Sequence, residues 1–390
     1  MKTIKLKSKC VRRVDSGHQW IFSNEITDDL KYFSAGETVA ICDSHGRFLG
    51  KGYINPKSLI TIRLLTKNER EEIDQVFFTR KIDEARKYRE RVLEDTNACR
   101  IIYSEGDYLP GLIADKYNDV ITLQVLTAGI EKNLELIIEG FKNVYRPKAI
   151  ILRNESRYRE LEGLELYKKV VFGGLSDAVI IEENGVKFEV DVLEGQKTGF
   201  FFDQRDNRLI LREFAKGKRV LDCYSYVGGF ALNAALSEAK EVIGIDSSEY
   251  AVKLAKRNAD HNNLKNVRFV EADAREELVN LAQKNEKFDM VILDPPSLVK
   301  NRKGIFQAIR LYKELNSNAM KILKPNGILV TASCSQLLSW SDFQEMIGDA
   351  SKTAERRVRI IKKGFQAPDH PIIPQMPETE YLKCLFLEVG

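Results

Sequence analysis

The sequence is short of the features that announce a metal site, a membrane span or an export signal. Its six cysteines form no Cys-x-x-Cys pair, and its four histidines, His18, His45, His261 and His370, fit no zinc spacing. A zinc ribbon and a disulfide framework are thereby excluded, and no metal is expected. No apolar run approaches the ~18 residues needed to cross a bilayer. The opening Met1-Lys-Thr-Ile-Lys-Leu-Lys-Ser-Lys-Cys10 alternates apolar and basic residues and lacks a signal-peptide core. The expectation is a soluble, cytoplasmic protein with no membrane partner. Internal repeats, low-complexity tracts and the G-x-G-x-x-G dinucleotide fingerprint are also missing.

What is present is ordinary globular usage: 390 residues, 43% hydrophobic and 30% charged, with Gly 24 and Pro 10. At roughly 150 residues per domain, two to three domains are expected. Formal net charge is only +4, yet the first 70 residues hold 13 Lys/Arg against 7 Asp/Glu, and the first thirteen carry six basic groups and no acid. That segment suits a polyanion such as RNA, or else it is a lysine-rich solvated β-face.

Residues 1–67 contain the β-rich runs 38–42, 48–53 and 59–65 between turn residues, which suggests a small β-barrel. The charged stretch from Lys67 opens a helix to about Glu94, with Ile73, Val76, Phe77, Ile82, Ala85, Tyr88 and Val92 mostly on one packed face. Residues 99–153 read as strands 100–103, 120–126 and 148–152 around a helix over 131–144. After Phe172-Gly-Gly174 strands alternate with helices, at 219–223, 241–245, 267–271, 288–293 and 326–331. This is the pattern of a doubly wound, mostly parallel α/β sheet. An exposed strand edge in such a sheet could support a homodimer.

In such sheets ligands sit beyond the carboxyl ends of the strands, and four successive strands place an acid there. Lys218-Arg-Val-Leu-Asp222 runs into Cys223-Tyr-Ser-Tyr-Val-Gly-Gly-Phe230, where Tyr224, Ser225 and Gly228 would line a cofactor turn. A carboxylate in that turn repels a pyrophosphate and suits a cationic ligand such as S-adenosylmethionine, with its sulfonium and ammonium. Asp246 follows 24 residues later, placed for both ribose hydroxyls. Asp273 ends the third strand toward an adenine edge, and Asp294 ends the fourth, followed by Pro-Pro-Ser297. A single such Asp is more often just a helix cap.

These motifs resemble the class I S-adenosylmethionine-dependent methyltransferases. More narrowly, they resemble the large-subunit rRNA cytosine-5 methyltransferases of bacteria and archaea that carry an N-terminal PUA domain. The likeness covers nearly the whole chain. It rests on Gly17-His-Gln-Trp-Ile-Phe22, Leu109-Pro-Gly-Leu112, the run from Gly195 to Arg208, Asp222–Phe230, Asp294-Pro-Pro-Ser297 and Ser333-Cys-Ser335. Val227 stands where the family has Thr.

The resemblance implies a PUA-like RNA-binding domain over 1–70, an α+β middle domain over 71–172, and a Rossmann-like methyltransferase domain over 173–390. It also implies that the 195–208 run, with Gln204 and Arg205, closes the cofactor pocket; a capped helix start at Asp203 is the plainer alternative. C5 of cytosine is a weak nucleophile, and the known remedy is a thiolate that adds to C6. By resemblance Cys334 is that nucleophile and Asp294 the carboxylate that holds the base. Some relatives carry a second Cys after the proline pair, where this chain has Ser297, so the group releasing the product stays open.

Cys223 competes with Cys334 but sits inside the cofactor turn, where packing is the better reading. Cys10, Cys42, Cys99 and Cys384 read as structural. The loop around His370-Pro371 either borders the active site or is plain surface. Lys5, Lys7, Arg12 and Arg13 would contact phosphates, while Trp20 and Phe22 read as barrel core. Two further readings stay open. One is a methyltransferase acting on guanine N7 or an exocyclic amine; the other is a non-catalytic RNA-binding assembly factor.

Overall fold

Alternating apolar and polar residues build the first sheet from five strands: β1 (Lys2–Lys5), β2 (Trp20–Ile21), β3 (Glu37–Cys42), β4 (Phe48–Ile54) and β5 (Ile62–Thr66), in the order β1-β3-β4-β5-β2. The computed structural model describes residues 1–175, 178–299 and 302–390. Ile4, Val39, Ile41, Ile54 and Ile62 fill the sheet's core, each contributing ~1.5–3 kcal/mol by burial. The basic N-terminus is only partly strand: α1 (Ser8–Asp15) follows, burying Cys10 and Val14 at i, i+4 and turning Lys9 and Arg12 outward. Trp20 and Phe22 are half-buried, contrary to the expected core role. Register explains this: Ile21 pairs with Ile62 and takes the inward face, so its neighbours point the other way. Trp20 Nε1 donates to Glu105 Oε1 at 2.8 Å, and the Arg13 guanidinium lies 5.1 Å from the Phe22 ring centre.

The middle sheet comprises β6 (Ala98–Tyr103), β7 (Leu112–Tyr117), β8 (Val120–Val125), β9 (Ala149–Asn154) and β10 (Tyr167–Gly173), in the order β10-β9-β8-β7-β6. Helices α2 (Gln75–Val92), α3 (Ala128–Lys132) and α4 (Leu134–Tyr145) contribute Phe78, Ile82, Ile130 and Phe141 to its core; α5 (Tyr158–Leu161) is a single turn. The charged stretch precedes α2 rather than opening it, because Asp74 caps the helix by accepting from Phe77 N at 3.0 Å. A hairpin of β11 (Val179–Glu183) and β12 (Val186–Val190) turns on Asn184-Gly185, both at positive φ (50° and 76°), which a two-residue turn of matching twist requires.

The remaining sheet has seven strands: β13 (Arg219–Cys223), β14 (Glu241–Asp246), β15 (Val267–Glu271), β16 (Phe288–Leu293), β17 (Leu323–Ser333), β18 (Val358–Gly364) and β19 (Lys383–Val389). Their order is β15-β14-β13-β16-β17-β19-β18. The first five are parallel, as the alternating pattern requires, and β19 and β18 are added antiparallel. Helices α6 (Arg205–Ala215), α7 (Gly229–Leu236), α8 (Glu249–His261), α9 (Ala274–Gln283), α10 (Ile305–Ile322) and α11 (Trp340–Ala354) accompany it. Strand β16 is buried from Met290 to Leu293, as a strand covered on both faces should be. Strand order reverses between β13 and β16, which defines the crevice at their carboxyl ends.

The chain divides into two units. One takes Met1–Ile181, Val190–Phe202 and Pro368–Thr379; the other takes Glu182–Glu189, Asp203–Ala367 and Glu380–Gly390. The 195–208 run therefore splits after Phe202. In the first unit Thr198 donates to Asp115 Oδ2 at 2.5 Å, and Arg153 donates to the carbonyls of Val192 and Gly195.

Candidate active site

Asp222 ends β13 at the crevice and is 1% exposed. Its Oδ2 accepts from Ala231 N in the first turn of α7 at 2.9 Å, whereas its Oδ1 is buried with no partner among the described residues. Burial pushes this carboxyl well above the usual range; the Ala231 N–H opposes that, and the charges of Asp294 and Asp246 reinforce it. An unpartnered buried carboxylate oxygen is expensive unless a donor or cation meets it. Ser225 Oγ is a second buried atom without a partner in the same turn.

The turn itself is strained. Tyr224 and Tyr226 hold φ of 63° and 49°, and Gly228 holds 90°, where a Cβ would stand 2.9 Å from the Phe269 ring. Ser225 N donates to Ile245 O and Gly228 N to Ser225 O, which pins the loop across β14. Asp246 fixes its far side, accepting from Tyr226 N on Oδ2 and from Ser248 N on Oδ1, each at 2.9 Å. Each oxygen keeps a lone pair for a diol. This donor and acceptor set fits S-adenosylmethionine: two orphaned polar atoms and an acid at the cationic end, and a second acid for the ribose.

The other expected residues are less uniform. Asp273 is exposed and caps α9, its Oδ1 accepting from Arg275 N and Glu276 N at 2.9 and 3.0 Å. It lines a hollow of about 470 Å³ with Arg275 and Glu314. Gln204 is buried and donates through Nε2 to Asp294 Oδ1 at 2.9 Å, while its Oε1 accepts from Asn207. Arg205 is buried against Glu183 of β11, which also takes Nε and Nη2 of Arg208 at 2.8 and 2.9 Å. Sequence reasoning missed Glu183 because the Asn-Gly hairpin that carries it went unrecognised.

Cys334 directly follows β17, is half-buried and is not in a disulfide. Strands β16 and β17 pair Leu293 with Thr331, so Asp294 and Cys334 leave neighbouring strand ends. A hydroxyl cluster ties their loops: Ser297 Oγ lies 3.1 Å from Ser335 Oγ, which lies 3.3 Å from the Tyr312 hydroxyl, and Ser333 Oγ donates to that hydroxyl at 3.0 Å. Cys223 and Cys384 are fully buried, and burial pushes both thiols well above their ordinary value. His370 is buried in the other unit, 2.8 Å from Asp369 Oδ1 and against the Tyr103 ring. Among the described residues no group of three His, Cys, Asp or Glu side chains could hold a metal ion, and no helix is long and apolar enough to cross a membrane.

Lys5, Lys7 and Arg12 are exposed as expected, but Arg13 turns inward, with Glu25 at 2.5 Å and His18 Nδ1 at 3.2 Å.

Comparison with known proteins agrees with this layout. A PUA-like domain family matches residues 4–67, and a methyltransferase domain family matches 214–375. The structure of SMU.776 complexed with SAH superposes over 100% of both chains with a TM-score of 0.85 at 20% identity, a likeness of fold. The ribosomal RNA large subunit methyltransferase I of Tolumonas auensis is 41% identical over 374 residues, 94% of each chain. The protein of that name from Escherichia coli strain SMS-3-5 is 38% identical over 371 residues, again 94% of each. A PUA-like domain, a Rossmann-like S-adenosylmethionine-dependent methyltransferase fold and near-complete coverage together place this chain in the ribosomal RNA large subunit methyltransferase I family.

Proposed function

We propose that the protein methylates C5 of a cytosine in large-subunit (23S) rRNA, with Cys334 as nucleophile and Asp294 as the base-binding carboxylate. The observation that carries this reading is the register that sets both residues at neighbouring strand ends beside the crevice. Cys223 and Cys384, the other cysteines of this sheet, are sealed in the core. Bound against Asp222, Ser225, Gly228 and Asp246, S-adenosylmethionine supplies an electrophilic methyl group.

The chain's residues do the rest. The Cys334 thiolate donates its electron pair to C6 and makes C5 electron-rich. Asp294, oriented by Gln204, accepts from the N4 amino group of the base. After methylation the C5 proton leaves to a base, and the C–S electrons return to Cys334 as the ring is restored. Tyr224 and Asp273 border the adenine side, and Arg205 acts through Glu183 by setting α6 and hence Gln204.

In this reading segment 1–70 grips RNA through Lys5, Lys7 and Arg12, 71–172 supports it, and 173–390 carries the reaction. The target base must be unpaired or flipped to present its face. Helix α10 begins at the same end of the sheet and exposes Phe306 (85%) with Lys303 and Arg310 at i−3 and i+4, a stacking surface between two cations for neighbouring nucleotides.

The test is nucleoside mass spectrometry. Large-subunit rRNA from a strain lacking the gene is incubated with purified protein and labelled S-adenosylmethionine. Label in 5-methylcytidine is expected. Label on guanosine N7 or an exocyclic amine would discard the thiolate route, and no label with intact cofactor binding would point to a binding-only role.

A further inference from the structure

A thiol is a poor nucleophile until ionised, and the residues given roles above do not ionise Cys334. Lys383 is placed to do so. It opens β19, paired with Ser333 of β17, one residue from Cys334. It is 4% exposed, which is rare for lysine. Its Nζ donates to Ser335 O at 3.1 Å and to Tyr381 O at 2.9 Å.

An ammonium has three N–H donors. Two reach these carbonyls, and the third has no hydrogen-bond acceptor among the described residues. Burial lowers the amine's affinity for its proton, and negative charge on Glu380 or on Cys334 would raise it. Glu380 also accepts from Trp340 Nε1 at 2.9 Å. Other titratable groups on the packed elements include the Tyr312 phenol, engaged by Ser333 and Ser335, and Asp294, engaged by Gln204. They also include the Tyr381 phenol, which donates to Asp203 Oδ2 at 2.5 Å, Lys363 of β18, 5.6 Å from the Trp340 ring centre, and the buried Cys384 thiol.

We propose that Lys383 is the positioning residue that holds Cys334 as a thiolate: the thiol proton passes to the amine, and the resulting ammonium keeps two N–H groups on the carbonyls of Ser335 and Tyr381 and turns the third toward sulfur. The proposal rests on Cys334 being the nucleophile. Burial disfavours the charged amine, and a neighbouring anion such as a Cys334 thiolate favours it. A merely structural lysine would do no more than pin the turn after β17.

The pH dependence of iodoacetamide alkylation at Cys334, followed by peptide mass spectrometry on the intact protein without RNA, separates the two. In Lys383→Met the inflection should move up by about one pH unit, with alkylation near neutrality roughly tenfold slower. Lys383→Gln, which keeps a neutral donor for the carbonyls, should shift equally. Lys383→Arg, a fixed cation that cannot take the proton but still stabilises the thiolate, should keep the inflection below that of Met. An unchanged inflection in Met or Gln, or an Arg variant that titrates like Met, overturns the proposal. Because the readout needs no methyl transfer, it is distinct from failure of the nucleophile assignment, which would show as an active Cys334→Ala enzyme.

Discussion

The two halves of the seven-stranded sheet hold their functional groups in different ways. On the β13–β15 side the acids are fixed by backbone N–H groups of their own or adjacent turns: Ala231 for Asp222, Tyr226 and Ser248 for Asp246, Arg275 and Glu276 for Asp273. On the β16–β19 side, side chains make the ties across long stretches of sequence: Gln204 to the Asp294 carboxylate, Ser297 to the Ser335 hydroxyl, and Lys383 to the Ser335 backbone carbonyl. In the proposed reading cofactor capture is thus a local property of strand-turn-helix segments. The expected chemistry depends on register between segments remote in sequence.

The sharpest way to test that division is to remove one group from each half and read both functions. Cys334→Ala should lower methyl transfer by at least about a thousandfold, the scale of losing a covalent nucleophile. Cofactor affinity measured by calorimetry should not change. Substantial turnover by this variant would break the division at its centre.

Next in size, Asp246→Ala should weaken cofactor binding about 10–100-fold, the equivalent of one or two charge-assisted hydrogen bonds. The alkylation profile of Cys334 should be unaffected. A coupled change in both readouts would show that the halves are not separable.

Asp222 adds a pH signature. Its folded value lies above its unfolded one, so protonation stabilises the cofactor-free fold. That contribution is full below the unfolded value of about 3.9 and is lost as pH rises through the raised one. A cationic ligand prefers the carboxylate, so binding should release protons and weaken as pH falls. Calorimetry in buffers of different ionisation enthalpy reads the proton count; proton uptake would refute the assignment of this acid to the cationic end. Asp222→Asn should correspondingly stabilise the free protein and impair binding.

The smallest effect belongs to Ser297→Ala. Losing one hydroxyl contact costs about 0.5–1.5 kcal/mol, which should appear as a few-fold fall in turnover with cofactor affinity unchanged. A loss on the scale of Cys334→Ala would mean that Ser297 has a chemical role of its own.

The same division governs what could be seen in the sequence. All five parallel strands were legible, because each is an apolar run closed by an acid or a turn, and so was the glycine-bearing turn from Asp222 into α7. Strand β10 was not, because Lys168 and Lys169 lie on an exposed edge and break the apolar pattern. Strands β18 and β19 escaped because an antiparallel pair appended to a parallel sheet has no alternating helix to mark it. With β19 went Lys383, whose meaning depends on its pairing with Ser333 fifty residues earlier. Trp20 and Phe22 were placed in the core by residue type, whereas the phase of the strand, set by Ile21, decides otherwise. The motif draws Arg205 to the cofactor, and the structure pairs it with Glu183, on a hairpin whose alternating strands Val179–Glu183 and Val186–Val190 flank Asn184-Gly185.

Strand order also dictates how the sheet can be assembled. From β13 to β17 each new parallel strand adds to an edge that is already formed. Strand β18 cannot: among the described residues its only hydrogen-bonded neighbour is β19, which comes later in the chain and lies between it and β17. Until β19 slides into that gap, β18 has no partner, β17 keeps an open edge, and the lysine beside Cys334 is absent. In the proposed reading the strands that carry the cofactor-side acids can pair without β19, whereas the end that holds Cys334 is complete only once β19 closes the sheet.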